Sequence, residues 1–182
     1  MRIVSGKYKG KRIEAPKKLP ARPTTDMAKE ALFNILNNRY YFEEISVLDL
    51  FSGIGSISLE FASRGCPDIV SVDQHQGCVR FLDQTSESIQ AGLQCIKSDA
   101  FVYLKNTGKK FDVIFADPPY DLDKSEFEKI IDLVLERNLL KPEGSLIIEH
   151  RGKMDFKDHP AFTESRKYGS SAFSFFSSSA SS

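Results

Sequence analysis

The sequence predicts an α/β fold: a mostly parallel sheet covered by helices, with a short hairpin and one helix ahead of it. Three observations carry this expectation. From Ile45 onward, short apolar runs alternate with segments of helical periodicity, the pattern of strands joined by crossover helices. Successive runs stop in or beside an acid, at Asp49, Asp73, Asp99 and Asp117, which places those acids along one edge of the sheet. The 182 residues, 41% hydrophobic and 27% charged, suit one full core with a small appendage.

Residues 1–40 form the appendage. Arg2-Ile3-Val4 and Lys11-Arg12-Ile13-Glu14 flank Gly6-Lys7-Tyr8-Lys9-Gly10, as in a short hairpin, which breaks at Pro16 and Pro20. Thr24 or Thr25 then caps a helix whose stripe is Ala28, Ala31, Leu32, Ile35 and Leu36. Although the whole chain is neutral, residues 1–22 hold eight basic side chains against Glu14, a net charge of +7. Such an arm resembles a polyanion-binding element, with Lys7, Lys9, Lys11, Arg12 and Arg22 as candidate nucleic-acid contacts and Tyr8 placed to stack. A solvated basic terminus is the other reading.

Residues 41–176 form the body. Val47 to Phe51 reads as the first strand, Ser52-Gly53-Ile54-Gly55-Ser56 as a glycine turn, and Ile57 to Arg64 as a helix closed by Gly65. Ile69 to Asp73 is the second strand, followed by a polar helix to about Gln90, and Leu93 to Ile96 is the third, leading to Asp99. Phe111 to Ala116 is the fourth, Ser125 to Arg137 a helix, and Ser145 to Glu149 the fifth strand. Phe162 to Tyr168 and Ala172 to Phe176 suit an antiparallel closing pair, and the serine-rich end, residues 177–182, reads as disordered.

The chemistry concentrates where the fourth strand stops. Two prolines cannot donate to a ladder, so the strand ends where Asp117 begins, and the stiffened Pro118-Pro119 turn sets Tyr120 beside the acid. An acid, a fixed carbonyl and an aromatic face suit a planar amino group, although a rigid strand-terminating turn would use the same residues. Parallel sheets bind ligands at the carboxyl ends of their strands. Gly53 and Gly55 would let the backbone approach a ligand there, and Asp73 would accept from a ribose diol. Asp99 would meet an adenine edge, with Asp49, Phe51, Gln74 and Ala100 in the same turns. Dinucleotide binding is disfavoured because the third glycine of the usual pattern falls at Ser58. The combination with Asp-Pro-Pro-Tyr favours S-adenosylmethionine over NAD, while Asp49, Asp73 and Asp99 could each simply brace a turn.

Four stretches together resemble one family: Arg2-Ile3-Val4-Ser5-Gly6; Arg22-Pro23-Thr24-Thr25 with Glu30 to Leu36; Leu48-Asp49-Leu50-Phe51-Ser52-Gly53-Ile54-Gly55; and Asp117-Pro118-Pro119-Tyr120. These are similar to the bacterial RsmD family of small-subunit ribosomal RNA guanine-N2 methyltransferases. The resemblance implies a Rossmann-like S-adenosylmethionine-dependent fold and methylation of N2 of a guanine of 16S RNA, at the position usually numbered 966. It implies Asp117, Pro118, Pro119 and Tyr120 as the catalytic group and the RNA or the small subunit as partner. Asp73 stands where the family often has Glu, and Lys29 where Arg is frequent.

Other classes fit less well. A DNA adenine-N6 methyltransferase would need a larger recognition region, and a protein-glutamine methyltransferase would have little use for a basic arm. A non-enzymatic RNA-binding assembly factor would leave the aligned acids without purpose. Cys66, Cys78 and Cys95 lack metal-ligand spacing, so buried free thiols and no metal are expected. With neither a signal peptide nor a membrane span in view, the expected setting is a cytoplasmic monomer.

Overall fold

In the computed structural model, residues 1–20 and 24–178 are described; Arg22 and the last four serine-tail positions, 179–182, lie outside the described residues. Seven strands form one sheet: β1 (Ser46–Leu50), β2 (Asp68–Asp73), β3 (Gln94–Lys97), β4 (Phe111–Ala116), β5 (Leu140–Arg151), β6 (Phe162–Tyr168) and β7 (Ser171–Phe176). Their order is β3-β2-β1-β4-β5-β7-β6, with the first five parallel and β7 antiparallel to both β5 and β6.

The helices α1 (Asp26–Asn37), α2 (Ser56–Ser63), α3 (Gln76–Ile89), α4 (Ala100–Asn106) and α5 (Lys124–Glu136) cover its two faces. All of β1 is buried, yet its side chains still divide with period two: Val47 joins the α1–α3 side while Leu48 and Leu50 join the α4–α5 side. In β4, Val113 and Phe115 likewise oppose Ile114 and Ala116. A sheet buried on both faces thus has continuous apolar runs and two cores.

Several elements differ in extent from the sequence expectation. The hairpin reduces to one antiparallel bridge, Arg2 with Arg12, held by Ile3 N–H to the Lys11 carbonyl (3.0 Å) and Ile13 N–H to the Met1 carbonyl (2.9 Å). The fifth strand begins at Leu140 rather than Ser145: Glu143 takes a positive φ of 66°, and pairing with β4 shifts there before resuming at Val113 with Ser145. In α1 the buried face turns toward Lys29 and Phe33, leaving Ala31 and Ile35 half-buried at its flank. The reason is α2, which is buried nearly all round because α1 and the N-terminal arm cover the side away from the sheet.

Candidate active site

A cavity of about 640 Å³ opens at the carboxyl edge of the sheet, around the switch point where β4 returns beside β1. After Leu50 the chain turns through left-handed backbone at Phe51 (φ 58°), Gly53 (φ 55°) and Gly55 (φ 89°). Phe51 is not a glycine, so its conformation costs on the order of 1–3 kcal/mol and persists because neighbouring bonds fix it. Ser52 N–H donates to the Val72 carbonyl (2.9 Å) and Gly55 N–H to the Ser52 carbonyl (2.8 Å).

The two glycines serve different ends. Gly53 borders the cavity, and a Cβ there would meet nothing within 4 Å. Gly55 does not border it. A Cβ at Gly55 would fall 2.2 Å from Leu82 Cδ1, so close packing of α3 and the positive φ account for that glycine.

Asp73 holds this turn to the next one. Its Oδ2 accepts from Gly53 N–H (2.9 Å) and its Oδ1 from His75 N–H (2.8 Å), while the carboxylate borders the cavity. Asp49 lies deeper, 2% exposed, with Oδ2 accepting from Ser58 N–H (3.1 Å) and Ser58 Oγ (2.5 Å). Burial, assisted by the charge of Asp73, pushes its carboxyl up to about 7 against the pull of the Ser58 bonds. Asp49 therefore braces α2 as well as bordering the cavity.

Phe51, Gln74 and Ala100 also border the cavity, and Asp99 is not among its lining residues. Its Oδ1 caps α4 by accepting from Val102 N–H (3.0 Å), and Ser98 and Ala100 present the wall in its place. Beyond β4, Asp117, Pro118, Pro119 and Tyr120 all border the cavity opposite the glycine turn. Pro119's carbonyl accepts from Leu122 N–H (3.2 Å), reversing the chain toward α5. The Arg151 guanidinium lies 4.5 Å from the centre of the Tyr120 ring.

The N-terminal segment supplies walls that the sequence did not single out. Pro20 and Thr24 border the cavity, and Thr24 Oγ1 donates to Glu149 Oε1 (2.8 Å) at the end of β5. Thr25, not Thr24, caps α1.

Lys7, Lys9, Lys11 and Arg12 are exposed, yet the arm is docked along α2. Val4 N–H and Ser5 N–H donate to the Glu60 carboxylate (2.9 and 3.1 Å), and Lys7 N–H and Tyr8 N–H donate to the carbonyl and hydroxyl of Ser63 (2.6 and 2.9 Å). The tip thus sits at the carboxyl end of α2, away from the cavity at its amino end.

A nucleoside-sized hollow under a glycine turn, faced by a proline-stiffened acid on this sheet, makes the chain a Rossmann-like methyltransferase in fold. The same fold recurs in the 16S rRNA N2 G1207 methyltransferase RsmC of Thermus thermophilus, solved with AdoMet and guanosine (TM-score 0.70, 21% identity, 88% of this chain and 45% of that one). A hypothetical protein from the same organism is more alike, with TM-score 0.83 and 28% identity over 97% of this chain and 98% of that one. The family described as Conserved hypothetical protein 95 matches residues 1–177, and the chain belongs to this family, the RsmD family. The Ribosomal RNA small subunit methyltransferase D of Buchnera aphidicola subsp. Baizongia pistaciae is 29% identical over 156 residues, 85% of this chain and 78% of that protein.

Proposed function

We propose that this protein methylates the N2 amino group of a guanine in 16S ribosomal RNA, of the position-966 type, using S-adenosylmethionine. The observation that carries the reading is that Asp117-Pro118-Pro119-Tyr120 and the Gly53 and Asp73 turns border one cavity. The residues fit the cofactor: Gly53 offers close backbone approach, Asp73 carries further acceptor lone pairs for a ribose diol, and Ser98 and Ala100 flank the adenine end. When bound, S-adenosylmethionine supplies an electrophilic methyl group on a sulfonium.

The amino lone pair of guanine is delocalised into the ring, so the protein must help that nitrogen pyramidalise. The Asp117 carboxylate and the Pro118 carbonyl each accept one amino hydrogen, and both interactions strengthen as positive charge develops on nitrogen. Tyr120 stacks on the extruded base. Residues fixed on strand ends supply proximity, and after transfer the cationic nitrogen gives its extra proton to the Asp117 carboxylate or to water.

Asp117→Asn keeps shape and one acceptor but loses the charge, so it should hold S-adenosylmethionine nearly as well while the single-turnover rate falls. Asp117→Ala should fall further, on the order of a hundredfold or more, as for loss of one preorganised electrostatic group. Labelled cofactor offered with small subunits, naked rRNA, DNA or protein identifies the substrate class. A folded Asp117→Ala variant that methylates guanine at the parental rate would refute the role of the acid.

A further inference from the structure

We propose that a basic groove beside Tyr120, distinct from the catalytic cavity, carries the RNA backbone phosphates flanking the target nucleotide. This inference rests on the RNA reading above and adds the path of the strand. The groove is open to solvent, with a volume of about 590 Å³, and is formed by Arg151 at the end of β5, by Gly152 and Lys153 in the turn after it, and by Lys167, Gly169 and Ser170 around the β6–β7 turn. Among the described residues, its lining holds three cations and no acid. Gly152 N–H donates to the Ser170 carbonyl (2.9 Å), which ties the two turns into one floor, and a Cβ at Gly169 would meet nothing within 4 Å, so that side is open.

Position decides what the groove is for. Tyr120 borders both hollows and so forms the partition between them, with the Arg151 guanidinium against its ring on the groove side. A base extruded into the catalytic cavity past Tyr120 leaves its sugar and phosphates at that partition. A polyanion there meets Arg151, Lys153 and Lys167 at once, and Arg151 joins the phosphate contact to the orientation of the stacking ring.

The N-terminal arm cannot do this. Its tip is bonded to Ser63, the last of the eight residues of α2. At about 1.5 Å per residue, the steps from Ser56 to Ser63 put it roughly 10 Å along the helix from the cavity end. Lys7 and Lys9 are therefore placed for RNA beyond the target nucleotide rather than at the partition.

The test compares the parent, the Lys153→Gln/Lys167→Gln double variant, and a control that loses the same charge at the opposite edge of the sheet, Lys105→Gln/Lys110→Gln. All four lysines are exposed, and Arg151 is left intact because it touches Tyr120. Binding of a fluorescent single-stranded fragment of small-subunit rRNA is titrated at several salt concentrations, beside calorimetry of S-adenosylmethionine. The groove variant should bind RNA roughly tenfold more weakly at physiological salt, with a log–log salt slope smaller by about 1.4, as for two lost phosphate contacts to a single strand. Its cofactor affinity should match the parent's. Retention of the parental slope, or an equal fall in the control, overturns the groove while leaving the RNA reading in place. A parent that binds no RNA overturns both.

Discussion

Glu60 is the residue on which the N-terminal arm depends, and its replacement by glutamine tests this. Both Glu60 and Lys29 are fully buried. Glu60 Oε1 accepts from Val4 N–H (2.9 Å) and Lys29 Nζ (3.3 Å), and Oε2 accepts from Ser5 N–H (3.1 Å) and Arg64 Nε (2.9 Å). Lys29 Nζ also donates to the Arg2 carbonyl (2.7 Å) and to Ser56 Oγ (3.3 Å). Burial lowers the pKa of Lys29, and the Glu60 carboxylate opposes that fall. Glu60→Gln leaves a buried ammonium without its counter-ion and should cost about 3–5 kcal/mol, the range for breaking a buried pair from one side. Lys29→Met keeps the packed stem and leaves Glu60 with Arg64 and two backbone donors, so it should cost less, about 1–3 kcal/mol for the unsatisfied groups. Combining the two should cost less than their sum, because they share one interaction. Urea unfolding measures these differences, and amide exchange at Val4 and Ser5 reports arm docking directly. The reasoning fails if Glu60→Gln lies within about 1 kcal/mol of the parent and both amides stay protected, since such a change is within the scatter of ordinary substitutions.

Two further outcomes concern the cavity acids. Asp73→Asn replaces one of two oxygens that accept from Gly53 and His75, so it should loosen the glycine turn and weaken S-adenosylmethionine binding by roughly 1–3 kcal/mol. Calorimetry giving the parental affinity would remove Asp73 from the cofactor site. For Asp49, burial raises the folded pKa from 3.8 to about 7, so between those values the native state binds the proton more tightly than the unfolded chain does. The resulting stabilisation is complete below the lower value and lost as pH rises through the upper one, at most about 4 kcal/mol. Asp49→Asn, neutral throughout, should lack this decline when urea midpoints are compared at pH 4 and pH 7.5 without ligand. Parallel pH curves for parent and variant would show that Asp49 is ionised in the folded protein.

Much of this architecture is legible from spacing. Apolar runs ending in acids reveal a parallel sheet because a strand buried on both faces admits few polar residues until its end. Asp117 to Tyr120 could be placed for a local reason: two prolines end a strand wherever they fall. The rest depends on contacts distant in sequence. Lys29 falls outside the apolar stripe that the spacing of α1 defines, and only Glu60 of another helix and the Arg2 carbonyl account for its burial. Gly55 shares a motif with Gly53, but its close packing against Leu82 of α3 is a contact that the motif does not reveal. Asp99 follows the end of β3 as expected, and its capping of the short α4 is a second role that strand-end spacing does not reveal.

The buried pair also bears on how the arm relates to the cavity edge of the sheet. Residues 1–40 read as a small appendage whose helix packs on the body, and Ile3, Ile13, Leu32 and Phe33 share one core with Val47 and Phe61. On α2, Ser56 borders the cavity and accepts from Lys29, while one turn later Glu60 accepts from the arm. The amino end of α2 thus meets the cavity and its middle holds the arm, with Lys29 bonded to both stretches. Loosening the arm withdraws the Arg2 carbonyl from Lys29, and Ser56, its remaining neutral partner, belongs to the cavity wall. Arm docking and the geometry of the cavity edge are therefore parts of one packing arrangement, and neutralising exposed arm lysines should perturb neither, because none of their side chains enters the Glu60 network.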